Sequence, residues 1–173
     1  MLWPGLPGND GSMLTVDLKA ELDLNGVAYD AIEHRRTLTA AAEAEAVGVP
    51  ARRVAKTVVL VGEAGFVRAA VPASEKLDMH RVRDALGDNG SDVRLATEAE
   101  LAAGYPMFEL GAVPPFGGPA GDRVVLDRGL AEQESVVLEI GNHEESVRLA
   151  TFDLLALTGA RVADLIETKG KRT

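Results

Sequence analysis

Arg53-Val54-Ala55-Lys56-Thr57-Val58-Val59-Leu60-Val61 sets a single lysine at the mouth of an otherwise apolar run, with the turn residues Gly62 and Gly65 just beyond it. Such a run reads as a strand buried on both faces. Side chains alternate along a strand, so Lys56, Val58 and Leu60 share one face. An ammonium placed there snorkels to water, pairs with an anion, or receives an anionic ligand. Spacing alone favours the first, and the rest of the chain has to decide.

Downstream, residues 66–71 form a partner strand across Gly62-Glu63-Ala64-Gly65, giving a hairpin. Upstream, Leu14, Leu18 and Leu22 recur every four residues among charged neighbours. That pattern predicts an amphipathic helix capped by Ser12 or Thr15 and stopped at Asn25-Gly26. A strand over 27–33 and the polar loop His34-Arg35-Arg36-Thr37 follow. Thr37 or Thr39 then caps an alanine-rich helix that ends at Gly48 and Pro50.

Asp78 caps a helix whose Met79, Val82 and Leu86 face the core, residues 93–96 form a short strand, and Thr97-Glu98-Ala99-Glu100 spells a capping box. Three prolines and four glycines between Gly104 and Gly118 make a shaped loop rather than helix or strand. Its Tyr105, Met107, Phe108, Val113 and Phe116 are too apolar for a loop meant only for water. Strands over 123–127, 136–140 and 146–149 come next, then a helix capped by Thr151 and carrying Phe152, Leu154 and Leu155, and a closing segment over 160–165. About seven strands with short helices, in no strict βαβ alternation, predict an α+β domain. Residues 13–167 read as that single domain, residues 1–12 as a flexible extension and 168–173 as a basic tail.

The chain has 173 residues, 46% of them hydrophobic, and a net charge of −9. That balance argues against broad nucleic-acid binding, which needs many cations to displace counterions, but leaves room for a local basic rim at Arg35, Arg36, Arg52, Arg53 and Lys56. Cysteine is absent, removing disulfides, thiolate nucleophiles and cysteine zinc sites. His34, His80 and His143 form no HxxxH or HExxH spacing, which points away from a metal enzyme and leaves only a carboxylate site open. No cofactor is expected. The apolar runs fall short of the roughly 20 residues that span a bilayer, so a cytoplasmic protein is the simplest expectation. Asp127, Glu139, Glu144 and Glu145 cluster late in the chain and read as solvated carboxylates, and His80 and His143 as surface histidines.

Four segments, in order, resemble the YbaK/prolyl-tRNA-synthetase-associated domain family of trans-editing aminoacyl-tRNA deacylases. They are His34-Arg35-Arg36-Thr37 with its alanine-rich helix, the opening stretch around Lys56, Gly111-Ala112-Val113-Pro114-Pro115-Phe116-Gly117, and Ser146-Val147-Arg148-Leu149 with the following Phe152-Asp153-Leu154 and Val162-Ala163-Asp164-Leu165. The resemblance implies a mixed, barrel-like sheet flanked by helices, and hydrolysis of the ester joining a wrong amino acid to tRNA. It makes Lys56 the essential lysine. It assigns substrate binding to His34, Thr37, Gly111, Ala112, Val113, Pro115, Gly117 and Gly141. Mischarged tRNA and an aminoacyl-tRNA synthetase are the partners it implies. Two departures stand out: the run from Gly104 to Gly111 is longer than the family's usual loop, and Ala112 replaces a second small residue, which narrows the pocket. With no thiol and no serine in a G-x-S-x-G elbow, water is the expected nucleophile. A different class also fits the same fold: a non-catalytic module that binds aminoacyl-tRNA or a protein.

Overall fold

A computed structural model describes residues 17–87, 90–118 and 121–169. The expected extension over 1–12 and the last residues of the basic tail lie outside these, as do Ser12 and Thr15. The described residues form six α-helices and eight strands. They are α1 (Leu18–Leu24), β1 (Tyr29–Glu33), α2 (Ala40–Val47), β2 (Ala55–Gly62), β3 (Gly65–Pro72), α3 (Met79–Leu86), β4 (Arg94–Leu95), α4 (Glu98–Gly104), β5 (Arg123–Asp127), α5 (Arg128–Ala131), β6 (Ser135–Glu139), β7 (Glu145–Ala150), α6 (Thr151–Thr158) and β8 (Arg161–Ala163).

The strands divide into two sheets. One is antiparallel with the order β1-β7-β6; the other has the order β4-β2-β3-β5-β8. In the larger sheet β2 pairs antiparallel with β3 and β4, whereas β3-β5 and β5-β8 are parallel, so the mixed α+β expectation is met. The barrel is not. Between the sheets the described backbone makes one bridge, Val54 to Val137, just before β2 begins, and no continuous ladder closes the ring.

Local chemistry explains most helix starts. Asp17, Thr39, Asp78 and Thr97 each accept a backbone N–H in the first turn of their helix, and Thr97 with Glu100 completes the capping box. Thr151 is an exception. It is the first helical residue, behind Ala150, and its buried hydroxyl caps nothing. On α6, Leu154 is buried while Phe152 is 80% exposed. The short helix α5 follows β5 directly, where Asp127 accepts the Gly129 N–H and that of Leu165; sequence patterning missed it.

The two faces of β2 enter different cores. Ala55 and Val59 join Leu18, Leu22, Leu138, Leu149 and Leu154 in one, and Leu60, flanked by Val58, joins Val67, Val82 and Leu165 in the other. Loop 104–118 belongs to the first core, since Tyr105, Phe108, Val113 and Phe116 are all buried there. Each large apolar side chain so buried contributes about 1.5–3 kcal/mol. The loop is thus held as core, and its backbone becomes a fixed wall.

Candidate active site

That wall faces a cleft of about 610 Å³. Lys56 and its neighbours on β2 line it together with Gly111, Ala112 and Val113. Thr39, Glu43 and Glu139 add polar groups, while Leu38 and Leu95, 73% and 57% exposed, stand at the rim.

Lys56 is half-buried and donates from Nζ to the Glu75 backbone carbonyl at 2.8 Å. No carboxylate lies within ion-pair distance of it among the described residues. Burial lowers its pKa, and the nearby Glu75 carboxylate only partly opposes that. The lysine lines the same cleft as Gly111, Ala112 and Val113, without a carboxylate paired to it among the described residues.

The loop is pinned from beneath by Arg68, on β3. This arginine is 2% exposed and donates to the carbonyls of Pro114 at 2.9 Å and Gly117 at 2.7 Å. Its guanidinium also pairs with Asp122 at 3.1 Å and lies over the Tyr105 ring, whose hydroxyl donates to the same carboxylate. A buried cation is tolerated when paired and hydrogen-bonded in this way. Gly117 has φ +78, and a Cβ there would run into the Leu18 side chain. Sequence reading passed over Arg68; the signal was an arginine inside Phe66-Val67-Arg68-Ala69-Ala70-Val71.

Other residues sit behind the cleft. The Thr37 backbone N–H donates to the His143 carbonyl, and its buried hydroxyl has no partner. Gly141, at φ +100, packs under Phe108 and accepts the Glu109 N–H. Pro115 and Gly117 border a separate groove with Arg68 and Asp122. The structure thus gathers Lys56, Gly111, Ala112 and Val113 around one cavity and leaves His34, Thr37, Pro115, Gly117 and Gly141 outside its lining.

His34 instead ends a buried polar chain. Its Nδ1 faces the Arg35 carbonyl at 2.7 Å and its Nε2 faces Ser146 Oγ at 2.9 Å, while Ser146 Oγ donates to Glu43 Oε1 at 2.6 Å. A carbonyl only accepts, so His34 carries a proton on Nδ1. Burial holds the Glu43 carboxyl above the usual range, with the Ser146 hydrogen bond pulling the other way. The serine–histidine pair has the reach of a nucleophile and its base, but Ser146 is fully buried and borders no part of the cleft, which leaves it without access to substrate.

Glu139 and His143 correct the surface reading of both. His143 is 3% exposed and donates from Nε2 to the Leu110 carbonyl at 2.7 Å. Its Nδ1 pairs with Glu139 Oε2 at 2.9 Å, and neither atom has another partner. Burial, then the carboxylates of Glu43 and Glu109, push the Glu139 carboxyl up to about 8. Among the described residues, no cluster of three or more His, Cys, Asp or Glu is arranged to hold a metal, and no helix is long and apolar enough to cross a membrane.

The family model for the aminoacyl-tRNA editing domain matches residues 34–157, from His34 through α6, and so encloses the whole cleft. The chain belongs to the aminoacyl-tRNA editing domain family. This editing domain is 26% identical over 129 residues to EbsC of Enterococcus faecalis, named as a Cys-tRNA(Pro)/Cys-tRNA(Cys) deacylase, covering 74% of this chain and 77% of that protein. It is 31% identical over 111 residues to the proline–tRNA ligase of Thermosipho africanus, 64% of this chain but only 19% of the ligase. A solved structure described as a trans-editing enzyme for prolyl-tRNA synthetase superposes with a TM-score of 0.78 at 31% identity, covering 87% of this chain and 95% of that one.

Proposed function

We propose that this editing domain hydrolyses the ester of a mischarged tRNA in trans, with water as nucleophile. The observation that carries the reading is an unneutralised Lys56 lining the same cleft as residues 111–113, within the segment that the family match spans. In this reading the Lys56 ammonium anchors the terminal phosphate of the tRNA or polarises the ester carbonyl. The oxyanion that forms is stabilised by backbone N–H groups of the loop other than that of Ala112, which donates to the Glu109 carbonyl, in a loop that Arg68 holds at Pro114 and Gly117. The substrate's terminal ribose hydroxyl activates the water. Exposed Arg35, Arg52 and Arg53 provide the local basic rim for the acceptor end, in a chain otherwise acidic. A tRNA substrate implies a cytoplasmic site of action, alongside an aminoacyl-tRNA synthetase.

A deacylation screen against several mischarged tRNAs tests this directly. Turnover of at least one, abolished or strongly reduced in Lys56→Ala, is the expected result. Tight tRNA binding without deacylation of any substrate, unchanged by Lys56→Ala, would instead identify a binding module.

A further inference from the structure

Ester hydrolysis by water leaves one proton in need of a destination. The attacking water gives up a proton, and a ribose hydroxyl passes it on only when a base stands behind that hydroxyl. Among the described residues that line the cleft, the titratable side chains are Lys56, Glu43 and Glu139. Lys56 enters the reading as a cation. Glu139 is paired with His143 at 2.9 Å and, pushed up to about 8, keeps its own proton at neutral pH. Glu43 remains.

Glu43 is buried on α2, and its Oε1 accepts from Ser146 Oγ at 2.6 Å; that hydroxyl in turn lies 2.9 Å from His34 Nε2. Protons along this chain can be counted. The Arg35 carbonyl, 2.7 Å from Nδ1, fixes one there, and the serine brings one of its own. One serine proton cannot serve both Glu43 and His34. Either it goes to Glu43 while His34 donates from Nε2 as the imidazolium, or it goes to Nε2 while Glu43 donates as the acid. Without a further proton, two acceptors would face each other across one of the contacts, a costly arrangement where water is excluded. The chain therefore holds one shared proton, able to sit at the Glu43 end or the His34 end. Glu43 borders the cleft, whereas His34 is half-buried and lies outside its lining.

We propose that Glu43 is the base that receives the proton of the attacking water, and that Ser146 and His34 position it and balance its charge through the shared proton. The inference rests on the deacylase reading and deepens it. With the shared proton at His34, Glu43 is a carboxylate. The water oxygen bonds to the ester carbonyl carbon; its proton goes to the ribose hydroxyl, whose own proton goes to Glu43. The ester carbon–oxygen bond then breaks, its electron pair leaves with the ribose oxygen, and that oxygen takes the proton back from Glu43. Free amino acid and free ribose result, and the chain is restored. Burial holds the Glu43 carboxyl above the ordinary range, while the Ser146 hydrogen bond and then the His34 charge draw it down, a balance suited to a base at neutral pH. The other carboxyl acting on this site is Glu139, on β6, and the cation sharing the cleft is Lys56, on β2.

The test follows deacylation of a mischarged tRNA against pH in wild type, Glu43→Gln and Ser146→Ala, with uncatalysed ester loss subtracted. Glu43→Gln, close in shape, should lose roughly 10²–10³ in kcat with KM little changed, and what activity remains should lack the acid limb. Ser146→Ala removes the hydrogen bond that draws Glu43 down, so its acid limb should move to higher pH. Wild-type kcat in Glu43→Gln overturns the proposal and leaves the deacylase reading standing. An acid limb in Ser146→Ala that superimposes on wild type overturns the role of the chain, and this arm is decisive should Glu43→Gln not fold. Failure of wild type to deacylate any member of a mischarged tRNA panel brings down the deacylase reading itself, and the proposal with it.

Discussion

Lys56 and Arg68 stand on neighbouring strands of one sheet, in a ladder that pairs Lys56 with Val71 and Val59 with Arg68. Both are cations set in apolar sequence, yet they are treated oppositely. Arg68 is sealed and satisfied by two carbonyls, a carboxylate and an aromatic face. Lys56 is only half-buried, has one carbonyl, and faces a cavity. A guanidinium with five donors in a rigid fork suits fixed, multi-point scaffolding, whereas an ammonium on a flexible stem suits a ligand that comes and goes. The contrast teaches that a buried charge supports the fold when its partners are internal, and is available for chemistry when they are not.

The largest effect should come from breaking the scaffold. Arg68→Met leaves two loop carbonyls without their donor and Asp122 with only the Tyr105 hydroxyl, and urea unfolding should show a loss of about 3–5 kcal/mol. Lys56→Ala should behave in reverse, staying within about 1 kcal/mol of wild-type stability while losing roughly 10²–10³ in kcat/KM. If Lys56→Ala proves strongly destabilising at full activity, the distinction between the two cations fails. Tyr105→Phe sharpens the scaffold side, removing one hydrogen bond to a charged acceptor for about 1.5–3 kcal/mol, again read by unfolding.

The last effect is a pH slope. Burial raises the Glu139 carboxyl from its ordinary 4.5 to about 8, so the folded state holds that proton more tightly than the unfolded chain does. The stabilisation is complete below the ordinary value and is lost as pH rises through about 8. Urea midpoints of wild type should therefore fall relative to those of Glu139→Gln across that window, by no more than about 1.4 kcal/mol per pH unit. Parallel curves for the two proteins would show that Glu139 titrates normally.

Much of this was legible in the sequence because it depends on near neighbours. The β2-β3 hairpin follows from apolar runs around Gly62 and Gly65. Caps at Thr39, Asp78 and Thr97 follow from side chains that bond within their own first turn. Even the burial of the glycine/proline loop followed from its aromatic content. What escaped depends on partners far along the chain. Arg68 meets carbonyls at Pro114 and Gly117, and Glu43 meets Ser146, whose hydroxyl also meets His34. An alanine-rich helix gives no sign that one of its glutamates points inward. Glu139 reads as solvated because strand ends usually are, and only the packing of His143 beneath Gly111 shows otherwise. Closure into a barrel was likewise beyond local pattern, since a single bridge at Val54 replaces the ladder that would have closed it.

The Arg68 clamp also ties the site to the order in which the molecule assembles. Loop 104–118 lies in sequence between β4 and β5, and β5 docks in parallel on β3, the strand that carries the arginine. A parallel pairing of such separation forms only after a costly loop closure, and non-local contacts of this kind are slow to form. The loop wall of the cleft cannot be held in shape before that step. A chain emerging unfinished from the ribosome, or one whose larger sheet is incomplete, lacks the surface on which an activated ester would be positioned. On the proposed reading, hydrolysis of a mischarged ester is thereby reserved for the completed fold.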